Sequence, residues 1–528
     1  MTDLIIPDSP RELGAPHDTW RPAQKEIYRQ TRELSLNGGG ILIAEAPTGI
    51  GKSGVVTALG HHDPITACVH TLPLVTQYER EYGFNAIRGR QEYPCNYDEK
   101  LEFWQDEWKE VPTVADCSFS SMLDCPVVQT CSYHIAKMHA LTARRTVMTY
   151  RYMALSTAMR KRTGILVFDE AHDSAEELIR FNKLEYLHKT IAHHELPEFP
   201  IKEFGPDNKG ALLGDAYTTI IKWLETCSKL LDTSELDHSR RAATRRRMKA
   251  NIDHYIGDVL NEDDWFLQVD NNGFSIMALL ADRIANKIFF HKHTKLLMSA
   301  TIGNPAPLAH MLGIDDYKFS TFEHPVPAQY RPVFDLKFPR MSKRVLHENP
   351  KFYEIQSKGI QKWIQQFPPN WRGVILTSSY YKIKKIMEFM PENERRFIVQ
   401  GQGQRVNDIT TKFITDVRPG DIMVGTIQGM GSGLNLKGDL ARWLVIASVA
   451  NINPTDEYMK VRRHKFGGRT YEDWITYNAI VQAAGRISRG TRDENGEYIT
   501  NYVALADGKA TVNRAMAMYS DWFKEAIV

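Results

Sequence analysis

Eleven residues near the start of the chain, AEAPTGIGKSG (44–54), combine glycines, a lysine and a hydroxyl in a pattern suited to polyphosphate. Gly49 and Gly51 let the backbone turn so that successive N–H groups converge on an anion. Lys52 then supplies charge to the β and γ phosphates of ATP, and the Ser53 hydroxyl is placed to ligate Mg²⁺. Thr48 joins them, and Ala46 stands where such loops usually carry their first glycine. A second cluster, VFDEAH (167–172), closes an apolar run. There Asp169 is expected to hold Mg²⁺ through water, and Glu170 to polarise an attacking water as general base. His172 either couples the nucleotide to a second lobe or simply packs. Far downstream, QAAGRISRG (482–490) spaces Arg486 and Arg489 three apart, which puts them on one face of a helix. Two such guanidiniums can reach a γ-phosphate across a cleft and stabilise transition-state charge. Gln482 opens this motif and completes the catalytic set.

A different chemistry is concentrated between these motifs. Four of the six cysteines, Cys95, Cys117, Cys125 and Cys131, fall in one short window, while Cys68 and Cys227 stand alone. In a reducing compartment clustered thiols more often bind metal than form disulfides. Four thiolates suit a [4Fe–4S] cluster or a tetrahedral Zn²⁺. Tyr93, Tyr97, Phe103, Trp104 and Trp108 flank them and are candidates to stack on bases.

The elements that must position these groups are short apolar runs, each suited to a buried parallel strand. GILIAEA (40–46), ITACVH (65–70), GILVFDE (164–170) and KLLMSAT (295–301) form one set. GVILTSS (373–379), RFIVQG (396–401), DIMVGT (421–426), WLVIAS (443–448) and YVALAD (502–507) form another. With helical patterns between them, they predict two α/β lobes. Two stretches break the rhythm. Residues 93–143 hold the cysteines. Residues 174–289 show no ladder of strands and read as helical and polar, with a charge run SRRAATRRRMKAN (239–251). Its cations, Arg240, Arg241, Arg245, Arg246, Arg247 and Lys249, suit a solvated helix or a phosphate-tracking stripe. At 528 residues the chain is long enough for three or four domains. Its 42% hydrophobic and 25% charged content is ordinary for a globular protein, and a net charge of +2 means that any basic track must be local. No basic segment followed by an apolar stretch opens the chain, and no apolar run reaches the roughly 18 residues of a membrane helix. A soluble, intracellular protein is expected.

Together these motifs resemble helicase superfamily 2 and, within it, the XPD/DinG family, over nearly the whole chain. RPAQ (21–24) resembles the adenine-reading element, which points to Arg21 and Gln24. HTLPLVTQ (70–77) resembles the motif that touches the nucleic-acid backbone, and TVMTYRYM (146–153) the strand and loop before the DEAH box. LMSATI (297–302) matches the Ser-Ala-Thr coupling motif. GSGLNLKGDLARWLVI (431–446) resembles the motif before the arginine helix, bringing Gly433 and Asn435 to the nucleotide. The family usually has an acidic residue before that glycine and Asp two positions after it; Ser432 and Asn435 weaken the charge here. GRQEYPC (89–95) resembles the segment leading to the first cluster ligand.

The resemblance implies two RecA-like P-loop NTPase lobes, with an Fe–S insertion and a helical arch insertion in the first. Its expected boundaries are 1–92, 144–173 and 290–305 for lobe 1, 93–143 for the Fe–S insertion, 174–289 for the arch and 306–528 for lobe 2. It also implies ATP, Mg²⁺ and a [4Fe–4S] cluster as cofactors. The implied activity is a DNA helicase moving 5′→3′ on single-stranded DNA and opening tailed or forked duplexes. It would work as a monomer, in the cytoplasm of a prokaryote or phage host, or in a eukaryotic nucleus, in repair, replication or defence. A translocase that does not separate strands and an RNA helicase share every ATPase motif. A sensing module that does little work is disfavoured by the complete Lys52, Glu170 and Arg486 set.

Overall fold

The computed structural model describes residues 4–97, 111–117, 119, 124–201, 210–212, 214–233, 237, 239–259, 265–390, 395–404, 406–427, 436, 438–449, 456–465, 470–488 and 490–528. The first lobe begins with β1 (Gly40–Glu45), β2 (Ile65–Val69), β3 (Asn85–Ala86), β4 (Arg145–Thr149) and β5 (Ile165–Asp169). Four further strands follow: β6 (Leu184–Leu187), β7 (Gly210–Leu212), β8 (Trp265–Val269) and β9 (Gly273–Ala278). They form a separate antiparallel sheet, in the order β6-β9-β8-β7. The chain then returns to the first sheet with β10 (Thr294–Ser299) and β11 (Lys318–Thr321). That sheet has the order β11-β1-β10-β5-β2-β4-β3 and is parallel throughout.

A second parallel sheet contains β12 (Val333–Asp335), β13 (Gly373–Thr377), β14 (Phe397–Val399), β15 (Ile422–Thr426), β16 (Trp443–Ile446) and β17 (Tyr502–Leu505). Its order is β12-β17-β16-β13-β15-β14. Every residue of β2, β5, β13 and β15 is buried, because helices cover both faces of such sheets and leave no polar side. The α/β class and the two lobes are therefore as expected. Among the described residues no helix is long and apolar enough to cross a membrane.

Two expectations need correction. The 174–289 insertion is not purely helical. Its helices Tyr217–Leu230 and Arg240–His254 stand beside the β6–β9 sheet, and Phe199 stacks on Phe274 of β9 with ring centroids 3.8 Å apart. The β8–β9 turn carried a legible signal. Asp270 Oδ1 accepts from the N–H groups of Asn272 (2.7 Å) and Gly273 (3.1 Å), the local bonding that makes Asp a turn former. Secondly, β11 pairs with β1, so the first lobe's sheet extends past residue 305 to Thr321.

The register sets up the site. Glu45 lies opposite Ser299, and Asp169 opposite Met298. The three strands thus end side by side, on the carboxyl edge where open parallel sheets bind ligands. The cysteine-bearing stretch is fastened beneath by Arg162, which is 9% exposed. Its guanidinium donates to the carbonyls of Ala140 (2.6 Å), Leu141 (3.2 Å) and Ile65 (3.3 Å) and to Thr66 Oγ1 (3.1 Å). It thereby caps the helix Ser132–Thr142 and ties it to β2. Arg162→Ala should leave these acceptors unpaired and destabilise the first lobe by roughly 3 kcal/mol, read as a lower urea midpoint, with Arg162→Lys intermediate.

Candidate active site

The phosphate loop runs from the end of β1 to the helix Lys52–Leu59. Gly49 (φ 89°) and Gly51 (φ 81°) are both left-handed, a conformation costly for any residue with a Cβ. A Cβ on Gly51 would also stand 2.4 Å from Gln24 Nε2. That amide donates to the Gly51 carbonyl at 3.0 Å, and the Arg21 guanidinium donates to the Gly49 carbonyl. Arg21 and Gln24, at the start of the helix Pro22–Leu36, therefore brace the loop from behind. Lys52 Nζ lies 3.5 Å from both the Ala46 carbonyl and Glu170 Oε1.

Asp169 and Glu170 follow one another and are held differently. Asp169 is 4% exposed. Its Oδ2 accepts from Tyr78 Oη at 2.8 Å, and its Oδ1 from the Glu170 N–H at 3.1 Å. Burial raises its pKa against the opposing charge of Lys52. Glu170 has φ 56°, a strained value for a residue with a side chain. Burial would raise its pKa too, but the charges of Lys52, His172 and Arg486 outweigh that and hold it below the usual carboxylate range. The two adjacent carboxylates are thus pushed in opposite directions by their surroundings.

Arg486 reaches Glu170 from the other lobe. The helix Thr470–Ile487 buries most of its length and turns Gln482, Gly485 and Arg486 toward the phosphate loop. Gln482 Nε2 donates to Thr301 Oγ1 at 3.2 Å, and a Cβ on Gly485 would stand 3.6 Å from Thr48. A cavity of about 120 Å³ lies between the lobes, lined by Thr48, Gly49, Lys52, Glu170, Thr301, Gln482 and Arg486. Trp522 also lines it, and its indole donates to the Ala300 carbonyl at 3.2 Å. His172 packs within the first lobe, its Nδ1 2.6 Å from Ser299 Oγ. Arg489, Gly433 and Asn435 lie outside the described residues.

Two residues here escaped the sequence motifs. Trp522 has no motif around it. Tyr78 follows the 70–77 segment directly and hydrogen-bonds both Ser53 and Asp169, the two expected Mg²⁺ ligands.

The four clustered cysteines are free thiols. Burial pushes the Cys125 thiol up, with further upward contributions from Cys117, Cys95 and Cys131, so all four share one neighbourhood. Among the described residues, however, no three His, Cys, Asp or Glu side chains stand close enough to hold a metal ion. Tyr93 packs on Tyr133 at 5.5 Å and Tyr97 on Phe119 at 5.5 Å. Phe103, Trp104 and Trp108 lie outside the described residues.

Residues 364–526 match the family described as helicase C-terminal domain, and residues 17–195 the one described as type III restriction enzyme, res subunit. Together the two matches span the phosphate loop, the DEAH loop and the arginine helix. The fold of the chain is similar to a solved structure named XPD helicase, with a TM-score of 0.61 at 15% identity, covering 96% of this chain and 98% of that one. It is also similar to an XPD from S. tokodaii, with a TM-score of 0.55 at 15% identity, covering 96% and 99%. No curated protein sequence matches significantly. The matched helicase domains support an ATP-driven enzyme, and the cleft around Lys52 and Glu170 is the candidate nucleotide site. Tyr78→Phe removes the group that bridges Ser53 and Asp169. It should raise the Mg²⁺ concentration needed for half-maximal ATPase about tenfold, the usual effect of losing a partner of a metal ligand, as measured by Mg²⁺ titration.

Proposed function

We propose that this protein is an ATP-dependent DNA helicase that moves 5′→3′ along single-stranded DNA and opens tailed duplexes. The observation that carries the reading is electrostatic. Arg486 of the second lobe acts on Glu170 of the first, across a cleft that also holds Lys52. A nucleotide bound there would meet cations from both sides and draw the lobes together. Ser53 and Asp169 would hold Mg²⁺, which neutralises charge on the β and γ phosphates. Lys52 exchanges Glu170 for phosphate. Glu170, already ionised, orients water and takes its proton, and Arg486 meets the charge that develops on the γ-phosphoryl. Loss of that phosphate removes the bridge and the lobes reopen. Alternating grip on the strand then yields steps.

Cys95, Cys117, Cys125 and Cys131 would hold a [4Fe–4S] cluster. Four thiols around one neighbourhood are the right donor set, and the cluster would brace the short turns Val114–Asp116 and Val128–Thr130 beside Cys117 and Cys131. Zn²⁺ would use the same thiols, so iron content discriminates between the two. The DNA preference and the polarity follow the family resemblance. Direct comparison of DNA and RNA as ATPase stimulators, and of 5′- and 3′-tailed duplexes in unwinding, tests both.

Lys52→Ala should reduce ATP turnover to background while strand binding persists in a gel-shift assay; robust hydrolysis by this variant refutes the assignment. Cys117→Ser should lose iron and visible absorbance together with duplex separation, yet keep part of its ATPase. Normal unwinding by iron-free protein counts against a role for the cluster in strand separation.

A further inference from the structure

The resemblance assigns Gln24 to the adenine, yet its side chain is turned toward the chain itself. It stands at the third position of the helix Pro22–Leu36, after Arg21 at the N-cap and Pro22 at the first position. Its Oε1 accepts from the Arg21 N–H at 3.0 Å, and its Nε2 donates to the Gly51 carbonyl at 3.0 Å. The first bond is the return half of a helix capping box, which satisfies an N–H that the helix cannot pair. The second ties the helix start to the phosphate loop. The amide is wedged there: a Cβ on Gly51 would stand 2.4 Å from Nε2, and one on Gly54 3.5 Å. Gln24 is 3% exposed.

Reading adenine needs a donor toward N7 and an acceptor for the N6 amino group, presented together on one edge. A carboxamide has two donors and two acceptor sites, so one of each is left on Gln24, but at 3% exposure neither has an open approach. Swinging out to a base would release the Arg21 N–H and the Gly51 carbonyl, two hydrogen bonds exchanged for two. Such an exchange favours adenine over no other base. What Gln24 does instead concerns the triphosphate. Its amide and the Arg21 guanidinium donate to the Gly51 and Gly49 carbonyls and hold those oxygens away from the side where the N–H groups of the loop converge on an anion. That part of the substrate is common to every nucleoside triphosphate. Beside this end of the loop stand the exposed His17 and Arg21 and the half-buried Tyr82. His17 Cδ2 would be 3.5 Å from a Cβ on Gly54, and Tyr82 hydrogen-bonds Ser53. All three carry flat groups, which hold a base by its face, and every base has one.

We propose that Gln24 is a positioning residue of the phosphate loop, and that this site hydrolyses purine and pyrimidine nucleoside triphosphates alike. The proposal rests on the ATPase reading above and widens its substrate to the whole class. In each case water adds to the γ-phosphorus, its proton passes to Glu170, and the β–γ bridging oxygen leaves with the nucleoside diphosphate. No bond to the base forms or breaks. A site that hydrogen-bonds a substrate edge rejects an analogue lacking it by a factor of about 10⁴ or more, whereas a site that senses only size discriminates far less.

The test is phosphate release from ATP, GTP, CTP and UTP, with Mg²⁺ and a deoxythymidine oligonucleotide. In the unaltered chain kcat/KM for the four should lie within about thirtyfold of one another; a wider preference for ATP overturns the proposal. Gln24→Ala should raise KM for all four by a common factor of about tenfold, the scale of two modest hydrogen bonds, with kcat changed less than threefold. Gln24→Glu keeps the acceptor for the Arg21 N–H but sets a carboxylate against the Gly51 carbonyl, and it should show the same uniform rise. An unchanged KM in both variants, or a rise confined to ATP, overturns the role given to Gln24. If neither variant folds, the four nucleotides compared in the unaltered chain decide the matter. If the unaltered chain hydrolyses none of them, the proposed function fails instead.

Discussion

Keeping an ionised carboxylate inside a closed cleft is the constraint on which the site depends. A charge held partly away from water is tolerated when it is paired, and Glu170, 31% exposed, has the cations Lys52 and Arg486 to offset it. The Lys52–Glu170 contact at 3.5 Å has a gross attraction of about 5 kcal/mol at an effective dielectric near 20, before desolvation is subtracted. Those cations come from the phosphate loop and the second lobe. Without nucleotide they hold the base. In the proposed mechanism a nucleotide would draw Lys52 and Arg486, which flank the cavity, to its phosphates instead. Its binding would then change the charge balance at Glu170 and the attraction between the lobes in one event.

The lobes are also joined where charge plays little part. Two indoles of the second lobe, Trp474 and Trp522, donate to the carbonyls of Ile302 (2.6 Å) and Ala300 (3.2 Å). They grip the segment just after β10, which also carries Ser299 and Thr301. Glu45 reaches the same place, accepting from the Gly303 N–H, and burial pushes its pKa up to about 7. At the other end of the interface Arg462 is 3% exposed, donates to Glu176 at 2.9 Å and lies over the rings of Tyr458 and Tyr471. Glu176 is six positions past Glu170. Any opening of the cleft must therefore pull on 300–302 or on the DEAH helix, and both lead back to Glu170.

What the sequence made legible follows from chemistry written in consecutive residues. The phosphate loop, the DEAH box and the arginine helix each carry their geometry within a few positions, and β1, β2, β5, β13 and β15 announce themselves because burial on both faces demands unbroken apolar runs. Strands β6 and β7 did not. They are four and three residues long and find their partners far along the chain. β11 falls past the expected lobe boundary at 305 because sheet membership depends on register with β1, which local composition does not encode. The same holds for side chains. Tyr78 matters through Asp169 and Arg462 through Glu176, and each pairing spans most of a lobe or more. Residue type suggests what such a group can donate, but only the fold names the recipient.

The charge run of the arch illustrates how a fold redirects an electrostatic pattern. Arg241 pairs with Glu195 at 2.9 Å, and Arg245 donates to the His194 carbonyl at 2.7 Å. Arg246 donates to the Asp237 carbonyl at 3.0 Å, and Lys249 to Asp253 at 3.1 Å. Arg247 reaches out of the arch to Asp116 at 3.3 Å. Phosphates seeking this helix would have to displace those partners, so much of its charge serves to fasten the arch. The Arg247 contact has the widest consequence. Asp116 is 7% exposed, accepts from the Thr113 N–H at 3.0 Å and directly precedes Cys117. The cysteine insertion is thereby anchored from above by the arch and from below by Arg162.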